Sequence, residues 1–319
     1  MPTWCAAHLP ALGARGYPVP AILWHGMISA EWHVTVQNRL PGRPGLPRVP
    51  WKRSVLRYRR PAGSGLSVLN DINMSDNKMF RADLARSVRL FLAFRTEQTA
   101  PQAYYTALAQ DTILQLSQYA ELDGRVVIDV GGGPGFFVRE LNRMGARSFC
   151  VDADSGEMAA LGPTENDSIV ASATRMPIAS GAVDVCFSSN VLEHVRDWPA
   201  MLAEMVRVTR PGGIVFVTFT NWLSPYGGHE TSPWHYLGGE RAAVRYQRKH
   251  GKAPKNRFGD SLYSVSVAEV LGWARSAEGV VVADAVPRYL PGWTRPLLRV
   301  PMLREFLTWN LLLVLRREG

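Results

Sequence analysis

The sequence predicts an α/β fold in which a mostly parallel sheet is covered by helices on both faces. Three observations carry this expectation. Short β-branched runs alternate with helical patterns, a glycine-rich turn joins the clearest strand to the helix after it, and a chain of 319 residues with 46% hydrophobic and 20% charged residues can bury one large core. The strands fall at residues 125–130, 147–152, 168–171, 183–189 and 214–220, and two later runs, 280–286 and 309–315, have the same composition. Asp123 and Gly124 form the turn before the first of these strands, and an amphipathic helix follows it from Phe136 to Met144. Upstream of all of them, Leu84, Val88, Phe91 and Leu92 share one helical stripe.

Residues 1–73 read differently. They hold nine prolines, with Pro41, Pro44, Pro47 and Pro50 spaced so that neither a helix nor a central strand runs through them. They also hold nine Arg and Lys against Glu31 and Asp71, a balance of +7 within the chain total of +9. The segment is expected to be a disordered Pro/Arg-rich extension, with Met74 as an alternative initiator. Trp32, Val34 and Val36 alternate there as a weak strand would. Because the excess charge sits at one end, the basic pI does not make the main domain a nucleic-acid binder.

Several classes are excluded. No apolar run approaches the roughly 20 residues of a membrane helix. Pro10, Arg15, Pro18 and Pro20 interrupt what would be the apolar part of a secretory signal. Cys5, Cys150 and Cys186 make neither a disulfide framework nor a Cys-x-x-Cys zinc pair, so a reducing, cytoplasmic location is expected. Cys150 and Cys186 lie within strands and are expected in the core.

The glycine turn narrows the ligand. From Gly131 and Gly133 a dinucleotide fingerprint needs its third glycine at position 136, which is Phe136, and no Lys-Ser or Lys-Thr follows to cradle a phosphate. What remains is Asp129, Gly131, Gly133 and Gly135 at alternate positions. An acidic residue at the strand end facing such a loop suits a ligand with a positive amino group better than a pyrophosphate.

These residues resemble the class I S-adenosylmethionine-dependent methyltransferases, in particular the type 11-like subgroup acting on small molecules. The resemblance continues through Val151-Asp152, Arg175-Met-Pro177, Val183-Asp-Val185, Leu192-Glu-His-Val195 and Arg210-Pro-Gly-Gly213. It implies a Rossmann-like, doubly wound, seven-stranded sheet, with S-adenosyl-L-methionine as cofactor. Asp129 and the glycine loop would hold the methionine portion, and Asp152 would accept hydrogen bonds from the ribose hydroxyls. Ser172 stands where the family commonly has an acidic residue for the adenine amino group, so adenine would lean more on packing by Met176. Asn190 would orient cofactor or acceptor.

Methyl transfer to a heteroatom needs alignment, desolvation and at most a base. His194, after the fourth strand, and His229 are the candidate catalytic residues. An insertion near 221–264 carries Trp222, Tyr226, Trp234, His235 and Tyr236, expected as an aromatic wall over the acceptor, with Gly227-Gly228 and Gly238-Gly239 as hinges of a lid. His229, Glu230 and His235 are loosely spaced like metal ligands, but no third convergent ligand stands nearby, and no metal is expected. The basic run from Arg241 to Arg257, including Arg245 and Lys249, is a solvated helix face or an anion contact. A second insertion, 289–306, mixes Trp293, Leu297 and Met302 with Arg295, Arg299 and Arg304; it suits peripheral contact with an anionic membrane surface or cover for an apolar substrate.

The resulting expectation is methyl transfer to a small, hydrophobic or lipid-like acceptor. The alternatives are a tRNA or rRNA methyltransferase using the basic run, and a noncatalytic S-adenosylmethionine-binding protein. Nucleic acid is the weaker choice, since the chain lacks the Asn-Pro-Pro-Tyr or Asp-Pro-Pro-Tyr signature and has no Pro-Cys nucleophile.

Overall fold

The computed structural model describes residues 21–25, 33–37, 80–97, 99–160 and 168–319, in two units. The smaller contains a hairpin, β1 (Ala21–His25) paired antiparallel with β2 (His33–Gln37), with Ala21 opposite Gln37. These ten residues are paired strands, a departure from the irregular extension expected, and the second strand carries Val34 and Val36 of the alternating stretch. The rest of segment 1–73, Met74 included, lies outside the described residues.

The larger unit opens with α1 (Leu84–Phe94) and α2 (Pro101–Leu116). Asp83 starts α1 by accepting the Arg86 N–H, and Pro101 starts α2 at a position where no amide donor is needed. Then come β3 (Val126–Val130), α3 (Phe136–Arg143), β4 (Arg147–Asp152), α4 (Ser155–Met158), β5 (Ser168–Val170) and β6 (Val183–Ser189). The chain continues through α5 (Trp198–Val208), β7 (Thr209–Thr220), α6 (Gly239–His250), α7 (Val267–Ser276), β8 (Val280–Pro287), α8 (Leu303–Leu307) and β9 (Asn310–Arg317). The sheet order is β5-β4-β3-β6-β7-β9-β8, with β9 antiparallel to both neighbours and the pairs from β5 to β7 parallel. This is the expected seven-stranded doubly wound sheet. The strand order reverses direction at β3, which has β4 on one side and β6 on the other. In open sheets of this kind the crevice beyond the carboxyl ends at that reversal is the natural ligand site.

β7 begins five residues before the predicted 214, because Thr209 pairs with Val183 ahead of a register shift. The central parallel strands β3 and β6 are buried on both faces, which explains their β-branched runs, whereas the edge strand β5 is largely exposed. One layer of the core joins Ile113 and Leu116 of α2 to Val127, Val185, Phe187, Phe216 and Leu312 of the sheet, with Phe187 and Phe216 stacked at 5.4 Å. Cys150 and Cys186 are buried in strands as expected.

Two buried arginines tie the helical layer to the sheet. Arg86 on α1 forms a bidentate ion pair with Asp111 on α2, at 2.7 Å, and donates to the Arg288 carbonyl at 2.8 Å. Arg288, just past β8, donates to the hydroxyls of Ser189 on β6, Thr218 on β7 and Thr112 on α2 at 3.0, 2.7 and 2.5 Å. Among the described residues no helix is long and apolar enough to cross a membrane.

Asp111→Ala would leave the Arg86 guanidinium buried without its counter-charge. The expected cost is about 3–5 kcal/mol, read as a lowered midpoint in urea unfolding, against within about 0.5 kcal/mol for the exposed Glu121→Ala. Equal midpoints for the two variants would contradict the bridging role.

Candidate active site

The glycine loop leaves β3 at the point of strand reversal. Gly131, Gly133 and Gly135 have φ of 76°, 47° and 80°, the left-handed region that glycine enters without steric cost. At Gly131 a side chain would also run into Val191, and at Gly132 into the carboxylate of Asp129 and the sulfur of Cys150. Asp129 therefore lies directly against the loop, as its alternate spacing suggested. It is fully buried, its Oδ2 has no hydrogen-bond partner, and burial followed by the nearby Asp152 pushes its carboxyl well above the ordinary range. A carboxylate held this way is short of a cation.

Asp152 closes the loop from the adjacent strand end. Its Oδ2 accepts the Gly133 N–H at 3.0 Å and its Oδ1 accepts the Asp154 N–H at 2.9 Å. Burial raises its carboxyl too, and the two amide bonds oppose that rise. Each carboxylate oxygen keeps a lone pair for a further donor. Beyond β5, the exposed Ser172 pairs its hydroxyl with Thr174 at 2.9 Å, and Met176 is buried, its N–H held by Glu204 at 2.6 Å. Asn190, at the end of β6, has φ of 58° and accepts from the Asn310 amide at 2.7 Å.

The loop opens onto a cavity of about 410 Å³. Gly131 to Pro134, Ser189 and Asn190 form one wall; Leu84, Val88, Phe91 and Phe94 of α1 form another; Tyr104, Tyr105, Phe136, Tyr289 and Trp309 bring aromatic rings from four further segments. The stripe read on α1 is thus not a core stripe. Leu84, Val88, Phe91 and Leu92 are 40–62% exposed, and all but Leu92 line the cavity together with the buried Leu90, while Arg86 is buried away from the cavity lining.

The expected aromatic wall is corrected by this geometry. Of its five residues only Tyr226 lines the cavity, edge-on to Phe94 at 5.5 Å and to Trp309 at 5.3 Å. Trp222 packs on Phe258 and His235 at 4.6 and 5.2 Å, the exposed Trp234 carries the Arg245 guanidinium 3.7 Å above its ring, and the Tyr236 hydroxyl donates to the Leu223 carbonyl. The rings bind the insertion to itself. Three of its four expected hinge glycines serve close packing, since side chains at Gly227, Gly228 and Gly239 would collide with Trp222, His235 and Phe258; Gly238, at φ 105°, has open space around it. Arg245 and Lys249 sit on the solvated face of α6, away from the cavity lining.

The two candidate catalytic histidines do meet. His194, in the 3-10 turn Leu192–His194, and His229, in the turn His229–Thr231, have ring centroids 5.1 Å apart. Only His229 reaches the cavity. The Nδ1 of His194 faces the Ser261 carbonyl at 2.6 Å, which can only accept, so Nδ1 carries the proton and Nε2 presents a lone pair. Burial lowers the imidazole to about 4. His229 is held down by burial and then by His194, and its backbone sits at φ 48°. Glu193, absent from the expected set, lies beside them. Its Oε1 accepts the Thr220 N–H at 2.9 Å, and burial raises the carboxyl to about 7. The sequence expects no metal because no third ligand converges on His229, Glu230 and His235; in the fold His229 instead meets Glu193 and His194, with one ligand-type atom of each within 4.8 Å of the others.

A family model described as a methyltransferase domain matches residues 128–217. An uncharacterized methyltransferase of Mycolicibacterium gilvum is 48% identical over 246 residues, covering 74% of this chain and 96% of its own. One of Mycobacterium avium is 48% identical over 256 residues, covering 77% of this chain and 100% of its own. A solved S-adenosylmethionine dependent methyltransferase from Mesorhizobium loti superposes with a TM-score of 0.43 at 18% identity, over 66% of this chain and 98% of its own. With relatives matched at this identity along nearly their whole length, the chain belongs to the methyltransferases.

Proposed function

We propose that this enzyme methylates a small, hydrophobic or lipid-like acceptor held in the cavity between α1 and the glycine loop. The observation that carries the reading is the shared wall: backbone from Gly131 to Pro134 forms one side of a cavity whose other sides are leucine, valine and aromatic rings. Bound S-adenosylmethionine supplies a methyl group on an already electrophilic sulfonium. The protein's share is then to bind, orient and dry the reactants.

The residues fit that cofactor. Asp129 offers a buried, unpartnered carboxylate oxygen against the loop, as a ligand with an ammonium group requires, and Asp152 keeps lone pairs for hydroxyl donors while its two amide bonds fix its orientation. Ser172 and Met176 mark the direction in which the adenine would lie. An acceptor that fills an apolar cavity of this size is drug-sized or a lipid chain segment. The RNA alternative has no support from the cavity, since the basic side chains of α6 do not line it.

Asp129→Asn should weaken S-adenosylmethionine binding by about 1.5–3 kcal/mol, the worth of a hydrogen bond to a charged group, when measured by calorimetry. The same substitution removes a carboxylate whose ionised form is disfavoured by burial. The cofactor-free variant should therefore melt no lower than the parent at neutral pH, and the parent's cofactor affinity should fall as acid protonates Asp129. Unchanged affinity together with unchanged pH dependence would remove Asp129 from the site.

Val88→Ser combined with Phe91→Ser should leave cofactor affinity close to the parent and lower the melting temperature only modestly, because the side chains are 48% and 40% exposed, yet reduce methyl transfer at least about tenfold. The assay is transfer of labelled methyl groups to extracted small molecules and lipids, comparing cells with and without the enzyme. Transfer at parental rates by the double variant would place the acceptor elsewhere.

A further inference from the structure

The cluster at the base of the insertion has a feature that methyl transfer alone does not account for. Glu193, His194 and His229 each direct one potential ligand atom at a common point, and the three atoms lie within 4.8 Å of one another. Glu193 Oε2, His194 Nε2 and both ring nitrogens of His229 are buried, and none has a hydrogen-bond partner. They converge without bonding each other. Buried polar atoms left like this are costly, and the ones here come from two separate connections of the sheet, so the arrangement is built by the fold and not by one local turn.

We propose that Glu193, His194 and His229 bind a divalent first-row transition-metal ion such as zinc(II) at the wall of the cavity that His229 lines. The donor set of two imidazole nitrogens and one carboxylate oxygen suits such ions and is poor for magnesium or calcium, which prefer oxygen ligands. Three protein ligands leave a coordination position open, the arrangement of reactive rather than structural metal sites. The span also suits an ion. Ligands bonded at about 2.0–2.2 Å around a tetrahedral centre stand about 3.4 Å apart, so side-chain rotation on the order of an ångström closes the site.

The supporting groups are those that ligands of this kind need. The Ser261 carbonyl holds His194 Nδ1–H and so presents Nε2 outward, and the Thr220 N–H fixes one oxygen of Glu193 while the other remains free. His229 is kept in its place by a left-handed backbone at φ 48° and by the turn that carries it, with its N–H donated to the Tyr226 carbonyl at 2.9 Å. Since His229 lines the cavity, an ion and an exchangeable ligand have a route to the cluster. Resting on the proposed function, the open position favours acceptors that present an oxygen.

The test uses the full chain, stripped with a chelator and titrated with zinc chloride by calorimetry, with cobalt(II) chloride as the spectroscopic probe. One ion per chain is expected, with visible cobalt bands of a four- or five-coordinate centre. Glu193→Gln keeps the oxygen that receives the Thr220 amide, and His229→Asn keeps a residue type that tolerates positive φ, so both should fold. Each should weaken zinc binding about 100-fold or more and abolish the cobalt bands, while melting near the parental temperature and still binding S-adenosylmethionine. Failure to bind zinc up to about 1 mM, or equal zinc affinity in both variants, would overturn the metal site and leave the methyltransferase reading intact. Loss of cofactor binding in the parent would instead count against the cavity assignment.

Discussion

The Arg288 guanidinium is the constraint around which the site is arranged. It is 1% exposed and carries a full charge into the region where β6 and β7 end and α2 crosses the sheet. The structure surrounds it with three hydroxyls from three elements and with the Tyr289 ring at 5.0 Å, and the carbonyl of the same residue receives Arg86. A buried cation without a bonded carboxylate is costly where its donors go unmet, as Nε does here; the two terminal nitrogens are bonded. Meeting them requires Ser189, Thr218 and Thr112 to stand where they do, and that fixes the strand ends carrying Asn190 and Thr220 and, through Arg86, the helix forming the cavity's outer wall.

Several of the unsatisfied buried polar atoms of the described residues stand near the strand ends. Asp129 Oδ2, Glu193 Oε2, His194 Nε2 and the His229 nitrogens are all buried without partners. Glu305 is by contrast well paired, its carboxylate receiving the Val267 and Ala268 amides at the start of α7, whereas Gln115, Ser224, His235 and Thr308 also keep buried side-chain atoms without partners. Natural proteins leave buried polar atoms unpaired chiefly where function uses them. Those of Asp129, Glu193, His194 and His229 stand at the end of β3, in the turn Leu192–His194 after β6 and in the turn His229–Thr231 after β7.

The sheet and the glycine loop were legible because both are local patterns. A β-branched run shows a buried strand wherever it occurs, and alternate glycines after Asp129 show the loop whatever lies beyond it. Errors arose where the outcome depends on what distant segments meet. The apolar stripe of α1 has the same periodicity whether it faces a core or a cavity, and only the position of Arg86 underneath reveals which. Aromatic residues of the insertion looked like a binding wall because composition does not distinguish a ring that packs on Phe258 from one that faces a ligand. Trp309 and Tyr105 belong to the cavity through tertiary folding, with no signal in their neighbours. Glu193 went unseen for the same reason, its partner His229 arriving from a different connection.

The division of the cavity between sheet and helix has an evolutionary consequence. Residues that hold the cofactor loop are interlocked, so that a change at Gly131 strikes Val191 and one at Gly132 strikes Asp129. Leu84, Val88 and Phe91 are bound by no such interlock, because their side chains are substantially solvent-facing and the helix is anchored on the opposite side by Arg86. Substitutions there alter the shape offered to an acceptor at little expense in folding free energy. On the proposed placement of the acceptor, descendants of one gene can diverge in what they methylate by changes along a single helix that leave the interlocked glycine loop untouched.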